Sequence, residues 1–310
     1  MTNMRTNVRT SVRTSVRIDG DTRVLVQGIT GRAGRQHARL MREYGTRIVG
    51  GISPKPGVTD VDGVPVYATC RDAVAATGAT ASVLLVGAMQ LLDAIRDAAA
   101  AGIKLIVTPT EGMPVHDALA AREITRTAGA LWIGASTPGM AVPGVAKLGF
   151  LPSSALLPGP LGIMSKSGTL SYEAGYRLAQ CGIGASVWVG VGGDPVKGTR
   201  FADLLPFYAA DAQTEAVLII GEIGGNEEEE FAAAVRAHGF SKPAFAVIAG
   251  RTSPEGVTMG HAGALAHGSH GGYAAKSAAL AAAGVTVCAS LDEMSRAIGA
   301  WNVSRVAPCG

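Results

Sequence analysis

Three of the chain's six histidines crowd one stretch, "TMGHAGALAHGSH", from Thr258 to His270. His261, His267 and His270 stand there among Gly260, Gly263 and Gly268, with no acid between them. Histidine can ligate metal, titrate near neutrality or act as a nucleophile. H-x5-H-x2-H in a glycine-rich loop is not a familiar metal spacing and no cysteine lies near, so no metal is expected. Gly260, Ala262 and Gly263 give His261 small neighbours, so a bulky anion can approach its ring. A histidine nucleophile needs one ring nitrogen open and the other held by an acceptor, usually a carboxylate. Glu222 qualifies by placement: it ends the apolar run "AVLIIGEIGG" beside Gly221, Gly224 and Gly225, where open α/β sheets put their sites. A solvent-exposed loop histidine without chemistry is the competing reading. The acids Glu227 to Glu230 open the next helix, where they complement the helix dipole, and read as structural.

Two stretches can hold phosphate. In "SKSGTLSYE", a strand passes through Ser167, Gly168 and Thr169 into a helix, which suits either capping or anion binding by first-turn N–H groups. "GITGRAG", Gly28 to Gly34, repeats that design at the first strand–helix junction. Its G-x-x-G-x-x-G spacing departs from the dinucleotide G-x-G-x-x-G, so tight strand–helix packing competes with pyrophosphate binding. A dinucleotide site would want an acid near the end of the second strand. That place reads "GGISPKPG" and offers Lys55 instead, which suits the extra phosphate of NADP or coenzyme A better than NAD.

The elements that must carry these residues alternate in the βαβ manner. Apolar runs at 23–28, 47–52, 81–87, 104–110 and 130–135 flank helical patterns near 32–44, 90–101 and 115–128. A Pro/Gly-rich passage follows, and the rhythm resumes with runs at 161–165, 185–191, 216–225, 243–250 and 285–289 and helices near 168–181, 227–238 and 272–283. The prediction is an α/β chain: a Rossmann-like domain over 18–140, an irregular linker over 141–159 and a flavodoxin-like parallel domain over 160–303. With 42 glycines and 5% aromatics in 310 residues, small side chains must fill both cores. The net charge of +3 and the absence of an extended basic patch speak against nucleic acid. No apolar run reaches the roughly 18 residues that span a bilayer. Scattered cysteines without a CxxC pair fit a reducing, cytoplasmic setting. Residues 1–17 place Arg5, Arg9, Arg13 and Arg17 among Thr, Ser and Val; they read as a disordered tail, or as a transit peptide to the mitochondrial matrix.

Taken together, "QGITG", "YGTRIVGGISP", "AVAATGATASV", "AGIKLI", "SKSGTLSYE", "GVGGDPVKGT", "TEAVLIIGEIGG" and "MGHAGA" resemble, in order and spacing, the α subunit of succinyl-CoA synthetase. The resemblance runs from about Ser15 to Ala297. It implies an N-terminal CoA-binding domain, a C-terminal ligase domain and a separate β subunit with an ATP-grasp fold that binds ATP or GTP with Mg. It further implies that His261 is phosphorylated, that Glu222 orients it, and that Ser167, Gly168 and Thr169 hold the phosphate. Gly28, Thr30, Gly31, Arg32, Ala33 and Lys55 would line the CoA site, and Tyr172 is the candidate substrate contact. The implied reaction joins succinate or a related dicarboxylate to CoA through an acyl phosphate.

The departures from that family pattern cluster in the first domain. Gly134-Ala135-Ser136-Thr137-Pro138-Gly139 replaces Gly-Pro-Asn-Cys-Pro-Gly, Arg32 and Ala33 replace small polar residues, and Gly87-Ala88-Met89 replaces a Pro-Ala-Pro-like turn. A different carboxylate, malate for example, is therefore expected as an alternative substrate. Two further functions compete with the ligase: that of a non-catalytic paralogue and that of an NADP-binding oxidoreductase.

Overall fold

Strands buried along their whole length set the plan of the protein, whose computed structural model describes residues 18–254, 260–265 and 271–306. The expectations for residues 1–17, His267 and His270 lie outside these. The chain divides into two units: one reaches to Leu151 and takes in Val189–Thr199, the other comprises Pro152–Trp188 and the residues from Arg200 onward.

The first unit runs β1 (Val24–Gln27), α1 (Arg32–Tyr44), β2 (Ile48–Ile52), β3 (Asp60–Val61), β4 (Val64–Tyr67), α2 (Cys70–Thr77), β5 (Ala81–Leu84), α3 (Leu91–Ala100), β6 (Leu105–Thr108), α4 (Val115–Thr127), β7 (Leu131–Gly134), β8 (Gly139–Val142) and β9 (Ala146–Gly149). Its sheet has the order β3-β4-β2-β1-β5-β6-β7. All pairs are parallel except the β3–β4 hairpin. Counting only the parallel strands, the order is 3-2-1-4-5-6, that of a doubly wound dinucleotide fold, with its switch point between β1 and β5. Every residue of β1, β5, β6 and β7 is buried, as strands covered on both faces must be. Leu25, Leu84, Leu91, Ile95, Ile106 and Trp132 share one core cluster.

The second unit runs β10 (Pro158–Ser165), α5 (Gly168–Gln180), β11 (Ala185–Gly190, of which Val189 and Gly190 fall in the first unit), α6 (Phe201–Ala210), β12 (Ala216–Glu222), α7 (Glu227–His238), β13 (Ala244–Ala249), α8 (Tyr273–Ala282), β14 (Thr286–Cys288) and α9 (Leu291–Val306). Its strands follow the order β14-β13-β12-β10-β11. Numbered within the unit, that is the flavodoxin order, and the switch point falls between β10 and β12. Trp188, Phe201, Tyr208 and Phe231 are the bulkiest fully buried side chains of this unit.

Two stretches differ from the sequence reading. The expected irregular linker over 141–159 is overlapped by the antiparallel hairpin β8–β9, which runs from Gly139 to Gly149. Its Pro143-Gly144 is a turn closed by Val145 N–H donating to Val142 O at 3.0 Å, so a dipeptide that also marks linkers here joins strands. Val189–Thr199, expected in the second domain, belongs to the first unit. Thr199 Oγ1 donates to Trp132 O at 2.6 Å and Gly198 N–H to Gly134 O at 2.9 Å, and a Cβ on Gly198 would collide with Trp132. Among the described residues no helix is long and apolar enough to cross a membrane.

Candidate active site

The chemistry centres on the end of β12. Seven consecutive buried residues carry that strand to Glu222, which pairs in register with Ala249 of β13. The chain then turns through Gly224 and Gly225, at φ +89° and +57°. A Cβ on Gly224 would sit less than 3.0 Å from the Gly263 carbonyl oxygen, so glycine at 224 lets the histidine loop settle onto this turn. Within that loop Ala264 N–H donates to His261 O at 3.0 Å. His261 Nδ1 and Glu222 Oε2 lie 2.7 Å apart, with side chains 24% and 7% exposed. The structure thus brings together the two residues that the sequence paired by placement alone. Gly260 is at φ +78° with no described neighbour for a Cβ, so backbone conformation, rather than room beside the ring, is what glycine supplies there.

The neighbouring strand carries the second component. β10 pairs with β12 in parallel, Ser165 against Ile220, and Lys166 N–H continues the ladder to Ile220 O at 3.0 Å. The Ser167 loop and Glu222 therefore leave adjacent strands at their C-terminal ends, astride the switch point. Ser167 is the N-cap of α5: its hydroxyl accepts from Leu170 N–H at 3.3 Å. Capping is realised, and the first turn, which includes Gly168 and Thr169, holds no acid. First-turn N–H groups lack intrahelical partners and favour anions. Tyr172 lies on the same helix, and burial pushes its phenol up to about 12.

Beneath these loops is a charge cluster that sequence reasoning missed. Glu227 and Glu228 do stand in the first turn of α7, but both are buried, Glu228 completely. Lys166 Nζ lies 3.0 Å from Glu228 Oε1 and 3.9 Å from Glu227 Oε2. Lys276, also fully buried, pairs with Glu228 and donates to Glu229 Oε2 and Gly225 O at 3.1 Å each. Glu228 Oε1 further accepts Glu222's own backbone N–H at 3.1 Å, and glycine at 221 leaves the room for this, since a Cβ there would strike that carboxylate. Burial raises the Glu228 carboxyl, but Lys166 and Lys276 outweigh it and hold the group below its ordinary value. Burial likewise lowers Lys166, while Glu228, Glu227 and Glu222 outweigh it and hold the ammonium above its ordinary value. Glu228 and Lys166 thus favour one another's charged forms, and removing one partner from such a buried pair costs about 3–5 kcal/mol. A lone lysine in the alanine-rich "YAAKSAAL" was the available signal.

In the first unit, Gly28 has φ +79° and a Cβ on it would collide with Leu85 O, just as one on Gly34 would collide with Gly28 O. The tight-packing reading of this motif is realised, and the packing sets β1, β5 and the start of α1 together at the switch point. Gly31 caps α1 without a side-chain hydrogen bond, and the first turn has no acid. Arg32 and Ala33 are exposed in that turn. Thr30 and Ser53 share a 3.0 Å hydroxyl hydrogen bond, and Ser53 Oγ also accepts Lys55 N–H at 3.2 Å. Lys55 is exposed in the loop that follows β2.

Comparison with known proteins fits this geometry. Residues 19–112 match the CoA binding domain and residues 164–286 match the CoA-ligase domain. The chain is 44% identical over 281 residues to the succinate–CoA ligase (ADP-forming) subunit alpha 1 of Archaeoglobus fulgidus, covering 91% of this chain and 96% of that one. It is 43% identical over 274 residues to the malate–CoA ligase subunit alpha of Methylorubrum extorquens, covering 87% and 92%. Among solved structures its fold is like that of ATP citrate lyase from Methanothrix soehngenii in complex with citrate and coenzyme A. The TM-score is 0.84 at 24% identity, over 94% of this chain and 52% of that one, so the chain spans about half the lyase. Both domain matches stand in order and the identity runs over most of the length, and the chain therefore belongs to the succinate–CoA ligase alpha-subunit family.

Proposed function

We propose that the chain is the alpha-type subunit of a nucleoside-diphosphate-forming ligase that joins a dicarboxylate to CoA, with His261 as the phosphoryl carrier. The contact between His261 Nδ1 and Glu222 Oε2 at 2.7 Å carries this reading. With Nδ1–H donating to the carboxylate, the lone pair is on Nε2, the atom that attacks phosphorus.

The bonds balance in three steps. Nε2 takes the γ-phosphoryl group of ATP or GTP and the nucleoside diphosphate leaves. A carboxylate oxygen of the acid attacks that phosphorus, restoring neutral His261 and forming an acyl phosphate. The CoA sulfur then attacks the acyl carbon, inorganic phosphate leaves and the thiol proton passes to solvent. Glu222 stabilises the imidazolium character that develops during transfer, and the α5 start at Ser167, Gly168 and Thr169 receives the phosphoryl oxygens. In the first unit, Gly28, Thr30, Gly31, Arg32 and Ala33 receive the CoA phosphates at an acid-free helix start without a side-chain cap, and Lys55 contributes from the loop that follows β2. Tyr172 contacts the substrate. Nucleotide and Mg are bound mainly by a β-type partner with an ATP-grasp domain, and the setting is cytoplasmic.

Succinate is the first candidate acid. Malate is the second, favoured by the altered segment 134–139 and by the relative that acts on malate. The test uses the chain co-expressed with its β-type partner and γ-labelled ATP. Label that is acid-labile and alkali-stable should appear on the wild type and vanish in His261→Ala, with CoA binding retained. Label persisting in His261→Ala would refute the carrier assignment. Acyl-CoA formation from succinate and from malate, run side by side, decides the acid.

A further inference from the structure

We infer that Glu228 is a positioning residue for the His261 centre, setting the spacing between the helix start that receives phosphate and the carboxylate that orients the histidine. The inference rests on the phosphoryl-carrier reading above. Glu228 touches neither His261 nor the Ser167–Thr169 helix start through any hydrogen bond described, so its action is indirect. Its reach is nonetheless specific. One oxygen, Oε1, accepts the backbone N–H of Glu222 at 3.1 Å and lies 3.0 Å from Lys166 Nζ. Lys166 is the residue between β10 and the α5 cap, so its side chain anchors the phosphate-receiving loop from below. The other oxygen holds Lys276 of α8, whose ammonium also binds Gly225 O, the turn on which the histidine loop settles. A single fully buried carboxylate thus ties three segments: the Lys166 loop, the β12 end and the glycine turn.

An ionic tie suits this task because its geometry is narrow and its strength grows away from water. The charged groups facing Glu228 are Lys166 from the β10–α5 loop, Glu222 from β12, Glu227 and Glu229 from α7, and Lys276 from α8; His261 faces Glu222 from the histidine loop. Removing an anion from this set makes the surroundings of the Glu222–His261 pair more positive, which displaces a proton-linked step at that centre to lower pH. Removing a cation does the reverse. A purely structural role would not move the pH dependence of phosphorylation in opposite directions for the two changes.

The experiment measures the rate of phosphohistidine formation from pH 5.5 to 9 in the assembled two-subunit protein, together with Tm and CoA affinity. Glu228→Gln should form phosphohistidine at least roughly tenfold more slowly, with unchanged CoA affinity and an acid limb displaced to lower pH. Lys166→Met, which leaves Glu228 with Lys276, should displace the acid limb to higher pH. Should Glu228→Gln fail to fold, the double variant Lys166→Met/Glu228→Leu replaces it, because Lys276 keeps Glu229 and Gly225 O; it too should fold and phosphorylate slowly. A folded Glu228→Gln or double variant phosphorylating at the wild-type rate would overturn the inference. So would acid limbs that stay in place in both single variants. A wild type that takes no label on His261 would instead bring down the carrier reading, and this inference with it.

Discussion

Changing Gly224 to alanine tests how the histidine loop is seated. The new Cβ would fall less than 3.0 Å from the Gly263 carbonyl oxygen. That oxygen is backbone, so no side-chain rotation relieves the clash, and the segment carrying His261 must withdraw by roughly 1 Å in a close-packed setting. The Nδ1–Oε2 separation is 2.7 Å, so a withdrawal of that size takes the pair to the edge of hydrogen bonding, at about 3.5 Å or beyond. A misplacement of about 1 Å costs roughly 100-fold in rate. Alanine at φ +89° adds strain of about 1–2 kcal/mol. Gly225→Ala supplies the control: its φ is +57° but a Cβ there meets nothing described within 4 Å, so it carries comparable strain without the collision. The assay compares phosphohistidine formation and Tm in the two variants. Both should lose a few degrees of Tm, and only Gly224→Ala should lose roughly 100-fold in phosphorylation. Equal phosphorylation rates in the two would show that the collision with Gly263 does not displace His261, because strain alone would then explain every effect.

Two further outcomes are expected. Gly34→Ala, whose Cβ would collide with Gly28 O, should weaken CoA binding by roughly tenfold, about 1.4 kcal/mol, in calorimetry, whereas Gly20→Ala, with open space around it, should not. Tyr172 has its phenol raised from 10.0 to about 12 by burial, so the stability linked to its neutral form is complete below pH 10 and is lost as pH rises towards 12. Tyr172→Phe should therefore flatten the fall of Tm over that interval, and an unchanged slope would count against burial as the cause.

Much of this architecture was legible because its signals are local. The helix over 227–238 and the parallel strands follow from apolar runs bounded by glycine, and the pairing of Glu222 with His261 follows from a carboxylate standing alone at a strand end. The hairpin β8–β9 was hidden because Pro143-Gly144 serves linkers and turns alike. Helix α6 was hidden because Pro206 interrupts it, and it is closed at its start by Arg200 N–H donating to Asp203 Oδ2 at 2.9 Å. The charge cluster was hidden for a different reason. Four consecutive acids at a helix start satisfy the dipole whether they face water or lysine, and only tertiary packing decides which of them is buried.

That buried cluster also constrains the order in which the chain can change. Losing Glu228 first would deprive Lys166 of its nearest carboxylate and leave it to the more distant Glu227 and Glu222, while Lys276 keeps Glu229. Losing Lys166 first leaves Glu228 still balanced by Lys276, and Glu228 can then be exchanged for an apolar residue while Lys276 falls back on Glu229 and Gly225 O. The same pair of substitutions is therefore accessible in one sequence of events and obstructed in the other. Descendants of this chain should lose the lysine before the glutamate.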